Sequence, residues 1–117
     1  MLKWNFVTSP QEVEAIVERS RELPCLIFKH STRCSISSIA KFRLENEWNF
    51  GEQDVAIYFV DLIAYRPVSQ QVADTFQVEH ESPQVLLIKD GRCIYHASHL
   101  DITVPTLADN FQGSSTA

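Results

Sequence analysis

The run KHSTRCSISS, Lys29 to Ser38, gathers the residues of this chain best suited to nucleophilic chemistry: one cysteine, Cys34, with Lys29, His30, Arg33 and, just beyond, Lys41 around it. Cys34 follows an apolar stretch, Cys25 to Phe28, and precedes a segment whose apolar residues return with helical period, so it stands where a helix begins. A helix start offers unpaired amide hydrogens and a partial positive charge, both of which favour an anion. The window from Lys29 to Arg43 holds four bases and no acid, in a chain of net charge -5. A cysteine so placed is expected to carry substantial thiolate at neutral pH, the form that attacks disulfides. Three residues on, where a dithiol enzyme has its second cysteine, stands Ser37. Its hydroxyl can donate a hydrogen bond to the Cys34 sulfur, but it cannot displace a partner from it. The C-x-x-S spacing therefore points to monothiol exchange: Cys34 takes a thiol adduct from a protein substrate, and an external small thiol removes it. Thr32, Arg33 and Ser35 flank the sulfur and are the expected substrate contacts.

The remaining chemistry-bearing residues read as structural. Cys25 and Cys93 lie in β-rich runs beside Leu26 and Ile94, no pair of cysteines is spaced C-x-x-C, and three thiols are too few for a disulfide scaffold or a structural zinc site. His96 and His99 stand three apart without a cysteine or carboxylate cluster to complete a metal site, so no metal is expected. His30 and His80 are of more interest, as neighbours of the proposed groove. The acidic balance argues against nucleic acid as a partner. No apolar run reaches the roughly 18 residues of a membrane-spanning helix, and the first residues lack the apolar core of a secretion signal; a soluble, cytoplasmic protein is expected.

Several elements are needed to hold Cys34 in place. Leu2, Trp4 and Phe6 alternate with polar residues, which suits a short strand. Ser9, Pro10 and Glu12 give an N-cap, a first-position proline and an acid in the first turn of a helix running toward Pro24, with Val13, Ile16, Val17 and Ser20 inward. After the strand at 25–28, Ile36, Ile39, Ala40, Leu44 and Trp48 mark the expected buried face of the second helix. Val55 to Val60 is a second buried strand, and Pro67 opens a helix with Val68, Val72, Ala73 and Phe76 inward. Such β-α-β order implies parallel pairing with right-handed crossovers. Asp90-Gly91 between two β-rich runs signals a hairpin, Pro105 opens a last helix, and residues 113–117 are small and polar enough to read as a frayed tail after a single domain over 1–112. The whole is the plan of an α/β thioredoxin-like fold, a central mixed sheet flanked by helices. In such folds the segment before the third main strand carries a cis-proline facing the reactive cysteine. Ser82-Pro83 occupies that place, with Ser82 offering its backbone to an extended substrate and Pro83 shaping the groove.

KHSTRCSIS, HESPQ (His80 to Gln84) and HLDIT (His99 to Thr103) together resemble the bacilliredoxin-like YtxJ family, monothiol members of the thioredoxin superfamily. The likeness spans nearly the whole chain. It implies that Cys34 is the redox cysteine, Ser37 the C-x-x-S serine and Ser82-Pro83 the cis-proline pair. It further implies that the protein reduces mixed disulfides between proteins and bacillithiol, with bacillithiol or an analogous low-molecular-weight thiol as co-substrate and no bound cofactor. Ser35 departs from the family's proline at that position; a proline in the first helical turn is pre-organised, so the change is expected to loosen the site or shift its potential. Two other readings compete: a thioredoxin-like binding or redox-sensing module that is modified without turnover, and iron–sulfur cluster carriage, which the absence of C-G-F-S around the cysteine ranks lowest.

Overall fold

The computed structural model describes residues 2–116, with side chains described through residue 110. The chain runs β1 (Asn5–Phe6), α1 (Gln11–Arg19), β2 (Cys25–His30), α2 (Ser35–Glu47), β3 (Ala56–Asp61), α3 (Arg66–Phe76), β4 (Gln84–Lys89), β5 (Arg92–Ser98), a 3-10 turn (His99–Asp101) and α4 (Val104–Thr116). The frayed tail expected from residue 113 falls where side chains lie outside the described residues.

The five strands form one sheet in the order β1-β3-β2-β4-β5. β1, β3 and β2 are parallel, and β4 and β5 close the sheet antiparallel. Strand alternation then divides the core in two. Cys25 and Ile27 of β2 join Val13 and Ile16 of α1 and Val68, Val72 and Phe76 of α3 on one face. Leu26 and Phe28 join Ala40 and Leu44 of α2 with Val104 and Leu107 of α4 on the other. This is the thioredoxin-like α/β architecture expected from the element order.

Local details depart from expectation for identifiable reasons. At the start of α1 the Ser9 hydroxyl does not accept from the helix; instead the Glu12 carboxylate accepts the N–H groups of Thr8 and Ser9, each at 2.8 Å, and the helix opens after Pro10. On α2 the buried line is Ser37, Ala40 and Leu44, while Ile36, Ile39 and Phe42 are exposed by 36%, 44% and 66%. The apolar pattern suggested Ile36 and Ile39 inward. Ala40 and Leu44 are inward and Trp48 packs against the same core, as that pattern also suggested, but Ile36 and Ile39 face out, because the small polar Ser37 takes the inward place in the first turn for a hydrogen-bonding reason given below. β5 carries a bulge: Tyr95 pairs with Leu87 and Cys93 with Ile88, so Ile94 is the extra residue and is left 40% exposed.

The hairpin is tight. Asp90 and Gly91 have φ of 52° and 77°, the left-handed pair of a type I′ turn. Its tip is docked on the end of α1, where Ser20, 1% exposed, accepts the Asp90 N–H at its carbonyl (2.9 Å) and the Gly91 N–H at its hydroxyl (2.8 Å). No helix among the described residues is long and apolar enough to cross a membrane.

Candidate redox site

Cys34 is the N-cap of α2, with extended backbone (φ -117°, ψ 119°). Its carbonyl accepts the Ser38 N–H at 3.2 Å, the first bond of the helix, and its own N–H donates to the Ser31 carbonyl at 3.3 Å. The loop is thus a tight turn ending in the cysteine. The side chain is half-buried, Thr32, Arg33 and Ser35 around it are exposed, and no acid lies in the first turn of the helix. The Ser31 hydroxyl accepts the Arg33 N–H at 3.3 Å, which shapes the turn without using the Arg33 side chain.

Ser37 does something other than expected. It is fully buried, its Oγ accepts the Ser31 N–H at 3.0 Å, and it lies 2.7 Å from His30 Nδ1. No hydrogen bond joins it to the Cys34 sulfur among the described residues. The hydroxyl is better described as a fastener, tying the end of β2 to the first turn of α2 and so fixing where Cys34 stands. This is why a serine faces the sheet and the isoleucines face out. His30 is 6% exposed and packs between Phe28 and Phe59, with ring centroids at 5.8 and 5.4 Å. Burial, reinforced by the Lys41 charge, lowers its pKa, so it is held neutral.

Lys29 also departs from the sequence reading, which counted it in the field around Cys34. It is fully buried on the opposite face of the sheet from His30, its Nζ 3.3 Å from His80 Nδ1. Of the other bases in that window, Arg33 is adjacent to Cys34 in the chain, while Lys41 and Arg43 lie about two turns or more along α2, Lys41 paired with Glu45 at 2.9 Å.

The Ser82-Pro83 peptide bond is cis. Lys29 pairs with Gln84 across the β2/β4 ladder, so Pro83 and Ser82 lie where β2 gives way to the Cys34 loop. The Pro83 carbonyl accepts the His99 N–H at 3.0 Å, so the HLDIT segment braces the proline. Its signal in the sequence was visible, but the bond itself depends on His99 adopting φ of 57°, which no side-chain pattern announces. Ser82 Oγ and Gln84 Oε1 are buried without a hydrogen-bond partner among the described residues.

The other two thiols are remote. Cys25 pairs with Ile88, and Ile88 with Cys93, so both sit at the end of the sheet where β2 begins, five residues of extended chain or roughly 17 Å from the end that carries Cys34. Two strand spacings, roughly 10 Å, separate them from each other, beyond disulfide reach. The Cys25 thiol donates to the Leu23 carbonyl (3.4 Å) and the Cys93 thiol to the Tyr95 carbonyl (3.3 Å). Burial pushes Cys25 up to about 11 and raises Cys93 as well. Both are thus protonated thiols, hydrogen-bonded within their own segments. Among the described residues no three His, Cys, Asp or Glu side chains are grouped to hold a metal.

Comparison with known proteins agrees with the fold. A solved structure described as a candidate oxidoreductase with a thioredoxin fold is 28% identical, with 90% of each chain covered and a TM-score of 0.77. Thioredoxin from Trypanosoma brucei brucei superposes with a TM-score of 0.76 over 98% of this chain and 93% of its own at 11% identity. Thioredoxin from Malassezia sympodialis gives 0.74 over 97% and 91% at 16% identity. The family model of the monothiol bacilliredoxin BrxC matches residues 5–107, a span that takes in Cys34, the Ser82-Pro83 pair and the His99 turn. Fold and family together make this a thiol-disulfide oxidoreductase, and the chain belongs to the monothiol bacilliredoxin BrxC family.

Proposed function

We propose that the protein strips a low-molecular-weight thiol, bacillithiol or a close analogue, from mixed disulfides on other proteins, using Cys34 alone. The observation that carries this reading is the placement of the three thiols: the position that would resolve an adduct is a buried serine, and Cys25 and Cys93 lie at the far end of the sheet. The Cys34 thiolate attacks the small-thiol sulfur of the mixed disulfide; that S–S bond breaks, the substrate cysteine leaves as thiolate and takes up a proton, and Cys34 keeps the small thiol in a new disulfide. A second small thiol, as thiolate, then attacks this adduct, forming the symmetric small disulfide and returning Cys34 as thiolate. In this reading Thr32, Arg33, Ser35 and the Ser82-Pro83 backbone are the substrate contacts, and the reaction needs no metal. The substrates are S-thiolated proteins of the cytoplasm.

Intact-mass analysis after mixing the protein with a bacillithiolated model protein tests this directly. One adduct should appear on Cys34, persist until free bacillithiol is added, and be absent from Cys34→Ser. An internal disulfide to Cys25 or Cys93 would overturn the monothiol scheme. A stable adduct that added thiol cannot release would make the protein a sensor instead.

A further inference from the structure

Lys29 is buried to 0% exposure with no carboxylate within salt-bridge distance among the described residues, a costly way to hold a cation. Its one described hydrogen-bond partner, His80 Nδ1, also lies 3.1 Å from Ser69 Oγ. An ammonium can only donate, so Nδ1 must accept, and the ring proton is on Nε2. Burial and the Lys29 charge lower the His80 pKa, in keeping with a neutral ring. His80 itself is exposed, so it carries the influence of Lys29 to the surface.

There it borders a cleft of about 360 Å³, lined by Leu62, Arg66, Pro67, Ser69, Gln70 and His80. No acidic side chain lines it, and the donors it keeps for a ligand are the Arg66 guanidinium and the His80 Nε2–H, since the Ser69 proton goes to His80 Nδ1 and the Gln70 amide donates to Asp74. Of the nearest acids, Asp61 accepts the N–H groups of Ile63 and Ala64, Asp74 accepts from Gln70, and Glu81 lies 3.6 Å from His99. The cleft opens at the Cys34 end of the sheet. The Leu62 N–H donates to the His30 carbonyl at 3.0 Å, and His80 is two residues before the Ser82-Pro83 pair.

We infer that this cleft between the start of α3 and the loop before β4 binds a carboxylate of the small thiol, with Arg66 and His80 as its ligands and Lys29 as the buried counter-charge behind them. The inference rests on the monothiol reading and adds where the non-sulfur part of the thiol is held. Donors of this kind are shared by any carboxylate, so an acidic side chain of the protein substrate has the same chemistry. A charge-assisted hydrogen bond contributes about 1.5–3 kcal/mol, so losing one is expected to cost at least about tenfold in affinity.

The test compares one model protein carrying bacillithiol with the same protein carrying cysteamine, which has a sulfur and no carboxylate. Arg66→Gln and Lys29→Met should each raise KM about tenfold for the bacillithiol adduct at little cost in kcat, and leave the cysteamine adduct unaffected; Arg92→Gln, at the far end of the sheet, is the control. Equal losses on both adducts, or none on either, would overturn the inference. So would a loss that disappears when acids beside the substrate cysteine are neutralised, which would assign the cleft to the protein partner. If wild type transfers neither adduct, the monothiol reading fails by itself. Titration of Cys34→Ser with malate, followed by NMR, then judges the cleft alone: saturable shifts at Arg66, Ser69 and His80 that vanish in Arg66→Gln support it, and their absence refutes it.

Discussion

Adjacent residues of β2 end the strand in opposite ways. On the α2 face, His30 completes an aromatic layer in which Phe28 stacks on Trp4 at 5.5 Å and meets Phe59 at 5.9 Å, and the one described hydrogen bond of its ring goes to Ser37. On the α3 face, Lys29 continues the line of Cys25 and Ile27, and its Nζ has one described side-chain hydrogen bond, to His80 Nδ1. Both are buried bases. One is made neutral by packing and used to anchor the Cys34 loop; the other holds a cation with no carboxylate in salt-bridge distance among the described residues. The contrast indicates that the α2 face is built for position and the α3 face for charge.

The comparison can be broken most severely at the aromatic layer. Phe28→Ala should cost about 3–5 kcal/mol in urea unfolding, the usual penalty for emptying a buried aromatic site. A cost near 1 kcal/mol would mean that the layer around it is loosely packed. Lys29→Met should act in the other direction. Burial lowers Lys29 to about 8, well below its unfolded value near 10.5, so below pH 8 the folded wild type carries an ammonium at a cost on the order of 3 kcal/mol. Between the two values folding releases a proton, and wild-type stability rises with pH. The advantage of Lys29→Met should therefore be greatest below pH 8 and fade by about pH 10.5. Measuring the difference between the two proteins matters, because Cys25, raised to about 11, lowers the stability of both as pH climbs past its unfolded value. An advantage that does not vary with pH would show that Lys29 binds its proton equally well in the folded and unfolded chain, with no shift from burial.

Ser37→Ala sharpens the same comparison at a smaller scale. It strands the buried Ser31 N–H and His30 Nδ1, and should destabilise by about 1–3 kcal/mol while slowing adduct transfer through misplacement of Cys34. If stability falls and transfer does not, the fastening is structural only. Arg33→Gln should move stability least, by no more than about 0.5 kcal/mol, since its side chain is exposed.

The fold was legible because its signals are local: helical period after Cys34, Pro67 at a helix start, Asp90-Gly91 at a turn. The position of Cys34 was legible for the same reason. What surrounds it was less so. Sequence charge placed Lys29 beside the thiol, whereas strand alternation sends residues 29 and 30 to opposite faces. The apolar period of α2 placed Ala40, Leu44 and Trp48 but not the first turn, where the inward position goes to Ser37, the residue that can bond Ser31 and His30, a tertiary demand that hydrophobicity does not record. Leu62, Arg66 and Ser69 gave no signal at all; they reach His80 only through the crossover that lays α3 against the sheet.

The docking of the hairpin tip on Ser20 bears on how this domain opens. Turn amides ordinarily exchange with solvent within the native state, but those of Asp90 and Gly91 are given to a buried residue at the end of α1. Their release requires α1 to part from β5, so they should exchange with deuterium at the slow rate of the sheet, and the two ends of the chain's fold should unfold as one cooperative unit.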